Sequence, residues 1–88
     1  MKRLIVGEEG HLSDLKIGQV AKVLGMHNKP AIKRRLMDMG ITKGVEVQIK
    51  KIAPFGDPID ISLRGYELCV RKDDLKEIDI EVIAWDVH

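Results

Sequence analysis

The sequence predicts a mainly β domain that folds as a small, closed or partly closed barrel of about five strands with one main α-helix. Three short runs between Val45 and Val70 carry apolar residues at every second position. This period of two is typical of antiparallel strands with one buried and one solvated face. A single clear helical pattern precedes them, and 88 residues suffice for one domain, residues 1–88. Barrel closure would remove the exposed edges of so short a sheet.

The three runs predict a β-meander. The segment Ala53–Pro58 between the first two contains two prolines and a glycine, which stop both strands and force a loop. Arg64 and Gly65 between the last two are enough for a tight turn. The residues expected to face inward are Val45, Val47 and Ile49, then Ile59, Ile61 and Leu63, then Tyr66, Leu68 and Val70.

Two further strands are predicted outside the meander, and a short apolar run near the start is a candidate for another. Leu4–Val6 is a short apolar run closed by the glycines that follow it. Gln19–Met26 is a longer run with Val20 and Leu24 facing inward, although Ala21 and Val23 blur the alternation, and the alternative is that both faces are partly covered. After a short turn or helix at residues 72–78, Asp79–Ile83 is expected to be the last strand. These assignments place strands on both sides of the meander in the sequence.

The main helix is predicted between the Gln19–Met26 strand and the meander. Asn28 is a suitable N-cap, and Pro30 suits the first turn, where its missing N–H is not needed. Gly40 is expected to end the helix. This position favours an SH3-like barrel over an OB-like barrel, the main alternative. The apolar stripe of the helix consists of Ile32, Leu36 and Met39.

Composition narrows the classes of function. The net charge is only +1 and aromatic residues make up 3%, which argues against nucleic-acid binding. One cysteine permits no internal disulfide, which fits a reducing compartment. We expect no insertion into a membrane, because no apolar run approaches ~18 residues. The expectation is a cytoplasmic domain, and the sequence leaves weak self-association open.

Catalysis and cofactor binding find no support among the motifs, so we expect neither an enzyme nor a cofactor. His11 and His27 lie in no metal-ligand spacing, and Cys69 has no C-x-x-C partner. We therefore expect no native metal site. The alternative is that the fold brings Cys69, His11 and His27 together around a soft metal ion.

Charge is distributed unevenly along the chain. Basic residues predominate from Lys29 to Lys51 and acidic residues from Asp73 to Asp86. The two groups either pair within the fold or form surfaces, and the second interpretation gives a basic docking surface on the helix at Lys33, Arg34 and Arg35.

Four strings in order make the chain resemble the FeoA family of bacterial ferrous-iron uptake. They are Arg35–Ile41, Gly44, Ala53–Pro58 and Arg64–Tyr66, and the resemblance covers about residues 12–82, with short extensions at both ends. It implies an SH3-like barrel in the cytoplasm. It also implies a partner, the membrane iron permease FeoB with its cytosolic GTP-binding domain, which the protein would bind and modulate.

Two alternatives remain open for the function. The first is an interaction module that contacts the permease through a partner surface. The second is a small transition-metal-binding protein, an iron chaperone or a sensor. The partner surface is expected to comprise Lys33, Arg34 and Arg35 of the helix and Pro54, Phe55, Gly56 and Asp57 of the loop.

Two of these residues have local alternatives. Arg35 is expected to hold a carboxylate, either Asp38 nearby or Asp57 across the fold. Phe55, at the loop tip, is either folded back over the mouth of the barrel or offered to a partner.

Overall fold

The computed structural model describes residues 6–85, whose strands form one antiparallel sheet in the order β1-β6-β2-β3-β4-β5. No helix within this range is long and apolar enough to cross a bilayer. A 3₁₀ turn at Leu12–Asp14 follows β1. The other elements are β1 (Glu9–His11), β2 (Gln19–Met26), α1 (Pro30–Asp38), β3 (Glu46–Ile52), β4 (Ile59–Leu63), β5 (Tyr66–Val70), α2 (Lys72–Leu75) and β6 (Ile78–Trp85).

The predicted meander is confirmed. In the sheet, Ile61 on β4 lies opposite Ile49 on β3 and Leu68 on β5. Arg64 and Gly65 form the two-residue turn, with φ of 50° and 85°. Positive φ at both positions matches the right-handed twist of the two strands they join.

One inward position of the meander was predicted wrongly. Tyr66 at the start of β5 is 43% exposed, because its ring leaves the sheet to reach α1, where its hydroxyl donates a hydrogen bond to the carbonyl of Met39. Leu68 is partly buried and Val70 is buried, as expected. The side chain of Tyr66 therefore joins the meander to the helix instead of filling the core.

The limits of β2 are confirmed, but its inward face was predicted wrongly. Ala21 and Val23 are buried together with Gln19, whereas Val20 and Leu24 are only partly buried. Both phases of this strand carry apolar residues, and the buried phase contains the polar Gln19, whose Oε1 accepts a hydrogen bond from the backbone N–H of Lys16. Hydrophobicity alone could not select the correct face.

The sheet gains a strand at Glu9–His11, where no strand was predicted. It pairs with β6, and β6 lies between β1 and β2. The strand predicted at Leu4–Val6 falls mostly outside the described residues. The last strand was correctly predicted but extends further in both directions, from Ile78 to Trp85.

Helix α1 begins at Pro30, as the missing N–H of proline favours, but its N-cap is Lys29. Asn28 was predicted as the cap and is not. Its Nδ2 instead donates a hydrogen bond of 2.8 Å to the carbonyl of Asp74. Asn28 therefore ties the approach to α1 to the α2 turn.

The inner face of α1 is the predicted one. Leu36 is fully buried, and Ile32 and Met39 pack against the core. The core is one cluster of apolar side chains from the 3₁₀ turn, both helices and strands β2 to β6. Gly40, at φ 104°, follows the helix in the left-handed region that glycine favours.

The fold class is confirmed as mainly β with one main helix between β2 and β3. The described sheet has six strands where about five were expected. Register shifts interrupt the pairing of β2 with β6 and of β3 with β4. Bulges of this kind increase strand bending, which lets a short sheet curve around one core.

Candidate functional site

The outer face of α1 presents a basic surface with an apolar centre. Lys33, Arg34 and Arg35 are all exposed, as predicted. Met37, one turn after Lys33 and Arg34, is 45% exposed. Residues three and four apart share a helix face. The helix therefore offers two cations beside a flexible thioether.

Arg35 holds a carboxylate, but neither of the two that were predicted. Its Nη2 lies 3.1 Å from Oδ2 of Asp74 at the α2 turn. Among the described residues its bond goes to Asp74 and not to Asp38 or Asp57. The Arg35 side chain is 61% exposed and that of Asp74 only 14%, so solvent screens the pair in part and its contribution is on the order of 1 kcal/mol. It links the side of α1 to the α2 turn.

The loop between β3 and β4 is a compact turn that presents Phe55 outward. The N–H of Gly56 donates to the carbonyl of Ala53 at 2.7 Å, and the N–H of Ala53 donates to the carbonyl of Pro58 at 3.1 Å. Phe55 is 100% exposed. Of the two alternatives for Phe55, the structure therefore shows the outward one.

The first turn of α2 connects this loop to α1. Oδ1 of Asp57 accepts a hydrogen bond of 2.8 Å from the backbone N–H of Lys72. Two residues further on, the carboxylate of Asp74 forms the ion pair with Arg35. The two sequence segments predicted to bind a partner, one on α1 and one on the loop, are thus both attached to α2.

Cys69 is exposed on β5, opposite Asp60 on β4. A hydrogen bond to the Asp60 carboxylate raises the pKa of the thiol, and desolvation and the negative charges of Asp60 and Asp57 raise the pKa further. Thiolate is the form that binds metals and reacts with electrophiles. Cys69 is therefore placed to be a poor ligand and a slow nucleophile.

We expect Asp60→Asn to speed the alkylation of Cys69 by iodoacetamide at pH 8, because the amide removes the negative charge that stabilises the protonated thiol. The rate against pH should shift to lower pH in the variant. Lys50→Asn, at an exposed position on β3, is the control and should leave the profile unchanged. Identical profiles for Asp60→Asn and the parent protein would show that Asp60 does not control this thiol.

The two histidines named as alternative metal ligands converge on one carboxylate, and Cys69 is not with them. Nε2 of His27 lies 2.6 Å from Oδ2 of Asp79, and Nε2 of His11 lies 3.4 Å from Oδ1 of the same residue. Among residues 6–85 no three side chains are already arranged as a metal site. The alternative site, in which Cys69 joins both histidines, is therefore not assembled among the described residues.

Three residues of these surfaces were not predicted: Met37, Asp74 and Asp79. Met37 follows Lys33 by four residues, so the helical pattern already indicated that the two side chains share a face of α1. Asp74 and Asp79 contact residues far away in sequence, the distance from His27 to Asp79 being 52 positions. No local pattern reports such a pairing.

Comparison with known proteins places the chain in a family. The model of the FeoA domain matches residues 10–82. A fusion of Fe(2+) transport protein A with the Fe(2+) transporter FeoB, from Porphyromonas gingivalis, is 26% identical over 73 residues. That match covers 83% of this chain but only 9% of the fusion protein, so the chain spans a small part of that relative's length.

Solved structures agree. A FeoA-like protein from Clostridium acetobutylicum is 38% identical, with 96% of each chain covered and a TM-score of 0.81. The zinc complex of FeoA from Stenotrophomonas maltophilia, described as a prokaryotic SH3 domain protein, is 28% identical. It matches 81% of this chain and 88% of its own, with a TM-score of 0.70. The SH3-like assignment is thereby confirmed, and the chain belongs to the FeoA family, whose domains occur in ferrous iron transport systems.

Proposed function

We propose that the chain is a docking module that binds the cytosolic part of the membrane ferrous-iron permease FeoB and modulates it through contacts alone. The observation that carries the proposal is the Porphyromonas gingivalis fusion, in which the two proteins share one polypeptide. A covalent fusion gives two domains a high effective concentration for each other. We propose the same association for the domain described here.

The contact surface we propose, the docking face, consists of Lys33, Arg34 and Met37 on α1 and Phe55 on the β3–β4 loop. A fully exposed phenylalanine on a turn closed by its own backbone hydrogen bonds needs little reordering to enter a partner's pocket. Aromatic and methionine side chains are enriched in interfaces. The bonds from α2 to Arg35 and Asp57 link the two parts of this face through one element.

The positive charges of the docking face indicate that the partner's surface is negatively charged. Neither Lys33 nor Arg34 has an ion-pair partner among the described residues. Their charge is therefore available to attract carboxylates of another protein. Exposed cations of this kind mainly accelerate association, and the effect falls with ionic strength. The docking face accordingly fits an acidic surface with an apolar pocket.

We expect Lys33→Glu with Arg34→Glu to slow association with the cytosolic part of the permease roughly tenfold at low ionic strength. The melting temperature should stay within a few degrees of the parent value, because both side chains are exposed. The measurement is surface-immobilised binding at two salt concentrations, beside a melting curve.

The control for this variant is Lys43→Glu with Lys50→Glu, which changes the net charge equally at exposed positions outside the docking face. Equal slowing by both double variants would show that only net charge matters. Unchanged binding by the Lys33→Glu, Arg34→Glu variant would move the interface away from α1.

Phe55→Ala is expected to act differently from the charge variants, by raising the rate of dissociation from the permease.

A further inference from the structure

A second surface lies on strands β1, β6 and β2, at the other end of the strand order from β4 and β5. It combines imidazole and carboxylate groups. Asp79 on β6 lies directly across from His11 on β1 and from Gly25 on β2. The chain continues from Gly25 to His27, whose ring turns back over Asp79. The side chains of His11, His27 and Asp79 are 55%, 67% and 35% exposed, so solvent reaches all three.

The space above Asp79 is kept open by Gly25. Its φ is not positive, and a Cβ built there would meet nothing within 4 Å. Neither backbone conformation nor crowding therefore requires glycine at this position. Its effect is to leave an open bay lined by His11, His27 and Asp79, with Glu9 and Leu24 at its sides.

The donor atoms suit a borderline divalent ion. Imidazole nitrogen and carboxylate oxygen are ligands for Zn²⁺ and Fe²⁺. Two such atoms, each about 2.1 Å from a tetrahedral ion, lie about 3.4 Å apart. Nε2 of His11 and Oδ1 of Asp79 have this separation, 3.4 Å. The shorter contact of His27 with Asp79 is a hydrogen bond, which an ion would replace after a rotation of the exposed ring.

A second carboxylate supports His11 from behind. Oδ2 of Asp14 accepts a hydrogen bond from the backbone N–H of His11 at 3.2 Å and lies 3.8 Å from its Nδ1. Histidines that bind a metal through one nitrogen usually direct the other to such a carboxylate, which fixes the ring and raises its basicity. Asp14 is positioned to orient the His11 ring in this way.

We propose that His11, His27 and Asp79 form an open site for a borderline divalent transition-metal ion, with water completing the coordination. Because residues 6–85 hold no preassembled set of three ligands, the site closes when the ion binds. The ion would then join β1 to the end of β2 across β6. The proposal is independent of docking to the permease, since it uses none of the docking face.

The test is calorimetric titration of the full chain with Zn²⁺, and with Fe²⁺ under anaerobic conditions. We expect one ion per chain. His27→Gln and Asp79→Asn should each weaken binding at least tenfold, and Asp14→Asn about tenfold through the supporting carboxylate. Gly25→Leu keeps every ligand but fills the bay, so it should also weaken binding. Cys69→Ser is the matched control and should leave affinity unchanged.

Nitrogen chemical shifts of the histidine rings in the parent protein provide a second measurement that needs no variant. Nε2 of both His11 and His27 should shift on addition of one equivalent of Zn²⁺. The proposal is overturned by an absence of stoichiometric binding, by unchanged affinity in both His27→Gln and Asp79→Asn, or by loss of binding in Cys69→Ser.

Discussion

Ile61→Asp is expected to lower the free energy of unfolding by at least about 3 kcal/mol. Ile61 is fully buried in the middle of β4, with Ile49 and Leu68 opposite it on the neighbouring strands. A carboxylate there would have no hydrogen-bond partner of its own and would lie among apolar side chains. Urea unfolding of the variant beside the parent protein measures the loss.

Two control variants distinguish the cost of burying a charge from the cost of altering the strand itself. Ile61→Val keeps an apolar branched side chain and should cost about 0.5–1.5 kcal/mol. Ser62→Asn, on the other face of β4, should cost under about 0.5 kcal/mol. An amide is preferable to aspartate at this second position because Glu67 lies directly opposite. Similar losses for Ile61→Asp and Ser62→Asn would contradict the assignment of the faces.

Gly40→Ala is expected to cost about 2–4 kcal/mol, from backbone strain and loss of a hydrogen bond. Gly40 has a φ of 104°, and a Cβ on it would collide with the hydroxyl of Tyr66. That hydroxyl donates to the carbonyl of Met39 at the end of α1. The added methyl group would therefore strain the backbone and displace the tyrosine together.

The two contributions can be measured separately by denaturation of three variants. Gly44→Ala has a similar φ of 90° but nothing within 4 Å of its Cβ, so it should show the backbone cost alone, about 1–2 kcal/mol. Tyr66→Phe removes only the hydroxyl. Gly40→Ala should then cost less in the Tyr66→Phe background than in the parent. Additive losses would exclude the collision as a cause.

Much of the fold was predictable because it depends on local periodicity. The meander and α1 each carry their own pattern, and the left-handed turns at Gly40 and Gly65 carry glycine as the sign of their backbone. The face of β2 was not predictable, since it is apolar on both phases and buries the polar Gln19. Strand β1 is three residues long, too short for any period.

The candidate sites show the same division. Exposure of Lys33 and Arg34 follows from their positions outside the apolar stripe of α1, which is readable in the sequence. The partner of Arg35 and the meeting of two histidines at Asp79 depend on where distant segments pack. They could be deduced only after β6 had been placed between β1 and β2.

The position of β6 between β1 and β2 also has a kinetic consequence. Its ladder with β2 joins Met26 to Ile78 and Gln19 to Trp85, pairings that close most of the chain into a loop. Such high contact order slows folding, since loop entropy is lost before the contacts that offset it form. The meander can assemble early from neighbouring segments. During synthesis, β2 must wait for β6 with one edge unpaired, and in that interval the chain is most vulnerable to aggregation.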